Sequence, residues 1–210
     1  SNITIDYAGI RDKAFSNCSS LAKVTLGDNV GNLGNEVFYQ CTSLQDITIP
    51  NSINSIGLYC FSGCSSMKSF FSGDGITSIK GHTFQDCIAL ENAKIGSRIS
   101  SVNYYAFSGC SALKNIEFGC SITSINSYAF ENCSLLSNIT IPQSVTSIED
   151  NAFKGCASLA DVIIEDRSTK LKLGSNGSSP LFADCPLDSV YIGGKITYNT
   201  SQKSGYSPFY

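Results

Sequence analysis

Ten cysteines and a single histidine are the residues of this 210-residue chain best equipped for chemistry, so their spacing decides which chemistry is open. Cys18, Cys41, Cys64, Cys87, Cys110, Cys133 and Cys156 recur every 23 residues, and Cys185 keeps the same place in a longer last unit. There is no CxxC pair, and one histidine cannot complete the usual Cys/His zinc patterns. Cys60, Cys64, His82 and Cys87 come closest to a ligand set, but His82 falls in a column expected to face outward. A Ser–His–Asp or Cys–His site would have to use His82, with Asp86 four residues later and Cys87 five. Cys87 belongs to the periodic series and should be inaccessible. Asp46, Glu117 and Asp161 invite a paired-carboxylate idea. They lie on non-adjacent units, and even the nearer two would be about 10 Å apart, with no pocket implied. No G-x-S-x-G elbow, phosphate loop or nucleotide fingerprint occurs. The residues therefore read as those of a non-catalytic protein with no metal or cofactor.

The elements that carry these residues follow from one period. Phe15, Phe38, Phe61, Phe84, Phe107, Phe130 and Phe153 stand 23 residues apart, each three before its cysteine, with Phe182 before Cys185. Leu21, Leu44, Met67, Leu90, Leu113, Leu136 and Leu159 follow by three, and two alternating apolar columns follow those. The unit is F-x-x-C-x-x-L-x-x-I-x-I-x-x-x-I-x-x-I-x-x-x-A. Its L-x-x-I-x-I part suits a short strand. A Gly or Pro then turns the chain, a second extended stretch follows, and Ala-Phe-x-x-Cys reads as a helical or 3-10 turn. A single coil would bury about seven apolar side chains at roughly 2 kcal/mol each, against about 1–2 kcal/mol per ordered residue. Stability must therefore belong to the stacked array.

The expected fold is a repeat solenoid, a right-handed superhelix of 23-residue coils with short parallel strands. Residues 1–210 should form one domain of about eight to nine coils, roughly 40 Å long. A longer turn is expected at 166–180, because Phe153 and Phe182 are 29 residues apart. Ser1 in place of Met points to a processing or cloning cut, and the absence of a polar end segment points to a piece of a longer array. Within this frame the cysteine column reads as free, buried thiols. Stacked Cα atoms would lie within disulfide range, but parallel side chains cannot supply the S–S torsion. Cys60 fills a slot held elsewhere by Ala and should be core, whereas Cys120 falls in a turn column and should be exposed.

These columns resemble the BspA-type leucine-rich repeats of bacterial and some protist surface proteins. The resemblance is carried by Ile139-Thr140-Ile141-Pro142-Gln143-Ser144-Val145-Thr146-Ser147-Ile148 and Asn151-Ala152-Phe153-Lys154-Gly155-Cys156. It implies a leucine-rich-repeat fold in a secreted or surface-attached protein, in some cases an adhesin for host matrix proteins or other cells, and it supplies no binding residues. Those must come from the outward strand positions, on what should be the concave face. Lys23, Asp46, Phe71, Lys94, Glu117, Asp161 and Ile163 form the candidate binding surface, with Phe71 as an apolar anchor in a polar field or an isolated exposed ring. Tyr59, Tyr105 and Tyr128 share a column with His82 and suit an interface through their area and polar tip, or half-buried packing on a turn. The expected partner is a protein, a host matrix or cell-surface macromolecule; the runner-up role is a spacer that displays other domains. A net charge of −3 and a pI near 5.1 argue against nucleic acid. No apolar run approaches the ~20 residues of a membrane span, so no membrane insertion is expected.

Overall fold

The computed structural model describes residues 1–174, 180–198 and 209. It is a parallel β-solenoid in which each repeat contributes two short strands to two columns. The first column holds Asn2–Ile5, Lys23–Leu26, Asp46–Thr48, Ser69–Phe71, Asn92–Lys94, Asn115–Glu117, Asn138–Ile141, Asp161–Ile164 and Ser189–Ile192. The second holds Asn32–Leu33, Ser55–Ile56, Ser78–Ile79, Ser101–Val102, Ser124–Ile125, Ser147–Ile148, Leu171–Leu173 and Ile196–Tyr198. Partners stand in the register of the repeat: Val24 faces Ile47, Phe70 faces Ala93, and Ile139 faces Val162. Side chains alternate between solvent and core along Lys23–Leu26, Asn138–Ile141 and Asp161–Ile164, as the two-residue pattern requires.

The segment around the repeated Phe is not a helix, and no helix occurs among the described residues. Residues two before and two after the Phe adopt positive φ, as at Tyr59 (55°), His82 (58°) and Tyr105 (55°), then Asp86 (58°), Gly109 (74°) and Asn132 (58°). Each left-handed residue turns the next peptide along the stack. The backbone N–H of Tyr105, Phe107 and Gly109 donates to Ser127, Ala129 and Glu131 of the next coil. Those of Ala106, Ser108 and Cys110 donate three residues back, to Asn103, Tyr105 and Phe107. Half of the donors that a 3-10 turn would keep within one coil are thus spent between coils. Gly, Asn and Asp recur after the Phe because they tolerate this conformation.

The core is a continuous rod. Phe rings stack from Phe15 to Phe182 and on to Phe209, with centroids 5.1–5.7 Å apart and planes within 12°. Beside them, each cysteine of the periodic column from Cys41 to Cys185 donates its thiol to the carbonyl of the Phe one coil earlier, at 3.1–3.3 Å. That carbonyl already accepts its own coil's Cys N–H, as Phe84 O does from Cys87. The thiol therefore fills the second lone pair of a buried carbonyl, a role beyond that of a small hydrophobe. The expectation of burial fails at Cys18, which is exposed, and in part at Phe15 and Cys185. Cys18 and Phe15 lie on the first coil, whose outer side no described coil covers.

The long turn near 166–180 contains a strand. Leu171–Leu173 joins the second column, with Ile148 facing Leu173, so two of the six extra residues precede this strand and four follow it. Residues 175–179 of that stretch lie outside the described residues. Arg167 pins the turn by donating from Nη2 to Pro142 O at 2.8 Å and from Nη1 to Val145 O.

The first column is not uniformly paired. Its strands are hydrogen-bonded in three sets of three, interrupted between Asp46–Thr48 and Ser69–Phe71 and again between Asn115–Glu117 and Asn138–Ile141. An oversized ring stands at each interruption. Phe70 tilts against Phe84 at 4.3 Å in a column otherwise of Val, Ile and Ala, and Phe118 packs edge-on to Phe130 at 6.0 Å in a column otherwise mostly of Leu and Ile. At the second interruption the far column stays paired, Ser124 with Ser147 and Ile125 with Ile148. The two coils are therefore opened on the strand face alone.

Candidate interaction face

Outward side chains on the first column form two rows that follow the register. One row reads Thr4, Thr25 and Thr48, then Phe71, Lys94 and Glu117, then Thr140, Ile163 and Tyr191. Its three segments coincide with the three sets of strands. The structure thus brings Phe71, Lys94 and Glu117 side by side. Lys23 and Asp46 are neighbours on the first set, and Asp161 and Ile163 lie on the third.

The central trio is the most structured part of the face. Phe71 is 54% exposed with its ring in solvent. Lys94 Nζ lies 3.2 Å from Glu117 Oε2, and Lys114 Nζ lies 3.1 Å from Glu91 Oε2. All four groups are open to water, so these pairs add little stability, but they leave the centre of the face near electrical neutrality. Beside them Asn115 donates to Asn92 Oδ1 at 2.8 Å, a rung in the second outward row. Two concavities flank Glu117. One, about 490 Å³, is lined among others by Asp74, Lys94, Ser97, Glu117 and Phe118. The other, about 200 Å³, lies at the interruption between Asn115–Glu117 and Asn138–Ile141.

On the third set, Ile163 is 46% exposed and faces Tyr191, which is 54% exposed and was not among the residues picked from the sequence. Tyr191 Oη donates to Asp166 Oδ1 at 2.7 Å, and this bond to a carboxylate raises the phenol's pKa. Asp161 Oδ1 accepts from Ser189 Oγ at 2.6 Å. Asp46, Glu117 and Asp161 lie on three different sets of strands, so the structure makes no carboxylate pair of them.

His82 does not face outward. Its imidazole is half-buried between Tyr59 (4.3 Å, planes within 6°) and Tyr105 (5.0 Å, planes within 6°), with Tyr104 edge-on at 5.1 Å. Nδ1 lies 2.8 Å from Gln85 Oε1. Tyr128 continues the stack 4.7 Å beyond Tyr105. Ring faces here are spent on one another, so the row packs the turn. Burial pushes Cys41 up to about 11 and Cys87 up to about 12, and Cys60, Cys64 and Cys110 rise as well, so none is poised as a thiolate. Cys120 is exposed in its turn, as expected, and Cys60 is core.

Comparison with known proteins agrees with the columns. The chain matches a model of the BspA type leucine rich repeat region in six copies, over residues 1–112 and 77–203. A leucine-rich repeat protein from Eubacterium ventriosum superposes with a TM-score of 0.69 at 29% identity, covering 73% of this chain and 42% of that one. This chain therefore spans about two fifths of that relative. A leucine-rich repeat protein from Bacteroides ovatus gives 0.63 at 22% identity, covering 95% and 66% of the two chains. A leucine rich cell surface protein from Faecalibacterium prausnitzii gives 0.53 at 20% identity, covering 96% and 80%. At those identities the last two speak for the fold alone. No match was found among curated proteins.

Proposed function

This chain belongs to the BspA-type leucine-rich repeat family, and from that premise we propose that it is a non-catalytic, extracellular or cell-surface module that binds a protein of a host or neighbouring cell. The observation that carries this reading is the row Phe71–Lys94–Glu117. It sets an exposed ring, a charged pair and two concavities on consecutive strands of one face. An aromatic anchor beside a polar rim is the arrangement in which a few residues supply most of the binding energy. A surface location is supported by the Faecalibacterium protein of like fold, which is described as a cell surface protein.

The test is surface plasmon resonance against a panel of purified matrix proteins, with Phe71→Ser and Glu117→Lys as variants. Saturable binding to one panel member is expected, weakened by about tenfold or more in each variant, with circular dichroism and melting unchanged. Absence of any saturable ligand would favour a spacer that only displays other domains.

A further inference from the structure

We propose that the slot opened by Phe118 between Asn115–Glu117 and Asn138–Ile141 is where the interaction face takes hold of its partner, an uncharged, extended peptide segment that places one aliphatic side chain in the slot. The proposal rests on the strand face being the interaction face. Four observations converge on it. No backbone hydrogen bond joins the two strands, whereas each is paired on its other side, to Asn92–Lys94 and to Asp161–Ile164. The asparagine rung from Asn92 to Asn115 is not continued there either, because Asn138 Nδ2 donates to Ser137 Oγ rather than to Asn115. Ile116 is partly exposed, while Ala93 and Ile139 in its column are buried. The opening, about 200 Å³, is lined by Lys114, Asn115, Ile116, Glu117, Asn138, Ile139 and Thr140.

The size, lining and charge of the slot select its occupant. It is smaller than the roughly 300–1,000 Å³ of small-molecule sites. It has room for one side chain rather than for a strand inserted between coils. Its floor is Ile116 and Ile139, which favours an aliphatic group. The backbone groups of the two strands that face each other across the slot are not bonded to one another, while the others are spent on the neighbouring strands, so an extended segment seated in the mouth of the slot gains hydrogen bonds from edges that the rest of the column has used. The lysines and acids beside the slot already pair, Lys114 with Glu91 and Lys94 with Glu117, so a charged segment gains nothing and an uncharged one loses nothing.

The wedge is expected to be removable with the fold intact, which circular dichroism of the variant checks. Phe118→Ile restores a residue that its own column uses at Ile95 and Ile141, so the strand ladder is expected to close across the gap. The experiment is amide NMR on the ¹⁵N-labelled chain titrated with the capped pentapeptide acetyl-Thr-Val-Thr-Val-Thr-amide to about 1 mM, a weak-binding range. Saturable shifts confined to the amides of 115–117 and 138–141 are expected, together with an affinity at least about tenfold lower in Phe118→Ile. Absence of shifts, shifts only on the strand edges at 2–5 and 189–192, or equal affinity in Phe118→Ile would each overturn the proposal. Matrix-protein binding that is lost in Phe71→Ser but indifferent to Phe118→Ile would sink this inference and leave the binding role of the face standing.

Discussion

Truncating the ring at the middle of the rod, Phe107→Ala, tests whether stability belongs to the stack. Phe107 is fully buried, with Phe84 at 5.1 Å on one side and Phe130 at 5.3 Å on the other. Removing the ring deletes its transfer energy and leaves a cavity that two parallel neighbours cannot close without shifting whole coils. The cost should reach about 3–5 kcal/mol, the usual range for a buried Phe. Against a domain stability of about 5–15 kcal/mol that is a large fraction. The same change at Phe15 should cost only about 1–2 kcal/mol, since that ring is partly exposed and has one stacked neighbour, Phe38 at 5.6 Å. The position matters as well as the size. Nearest-neighbour coupling holds the array together, so a weak joint in the middle should split urea unfolding, followed by circular dichroism, into two steps. Phe15→Ala should keep a single transition. Equal losses at the two sites, or less than about 1 kcal/mol at Phe107, would refute the stacked-rod account.

Three further outcomes follow. The buried thiols of Cys60, Cys64, Cys87 and Cys110 titrate higher in the folded than in the unfolded chain, because burial disfavours the thiolate. Their contribution is complete below the unfolded value of about 8.5 and is lost as pH rises toward the folded values, by up to about 1.4 kcal/mol per thiol per pH unit. Cooperative unfolding near pH 10 is therefore expected by circular dichroism, and a native spectrum persisting at pH 12 would contradict the thiol ladder. Gly109→Ala should destabilise by about 1–2 kcal/mol in a thermal melt, since the residue has φ +74° and a Cβ there would stand 2.4 Å from Asp86 Oδ1; Asn132→Gly, at φ 58°, should be near neutral. Timed labelling with a thiol reagent on native protein should modify Cys18 and Cys120 first, Cys185 more slowly, and the buried seven only on unfolding. Rapid labelling of Cys110 would show that the rod is open.

The columns were legible because stacking makes one demand on every coil. Phe, Cys, Leu and Ile at fixed intervals can satisfy a common core only by lying over one another. The His82 stack was implied in the same way, since Tyr59, His82, Tyr105 and Tyr128 share a column, but a turn position was read as solvent-facing. What could not be read was anything that depends on where a backbone N–H is spent. A turn closed by bonds three residues back looks helical in sequence, and only the partners in the next coil show that alternate peptides point along the stack. Phe118 passed as one more apolar member of its column, because a periodic pattern records hydrophobicity and not the ring's extra volume. Tyr191 was missed because the six-residue insertion, divided around Leu171–Leu173, obscured its register with Ile163.

Selection for the fold alone would make all coils alike, since a residue that suits one column position suits the same position in every other coil. Departures from the consensus therefore separate what stacking requires from what it merely tolerates. Phe70 and Phe118 are apolar where the column wants apolar, yet each stands at a break in the strand ladder, so each forgoes backbone pairing. Phe71 exposes a ring where Thr25, Thr48 and Thr140 occupy the same row. Phe70 still packs against the rod through Phe84, but all three rings belong to the first strand column, and Phe71 and Phe118 stand next to Lys94 and Glu117. Real proteins tend to break local rules where function asks for it and to compensate elsewhere. Here the compensation is visible in the second column and in the Phe and thiol ladders, which run unbroken past the gap at Phe118. A coil can open on one side because the other side holds, and that asymmetry lets a structural repeat carry a binding face.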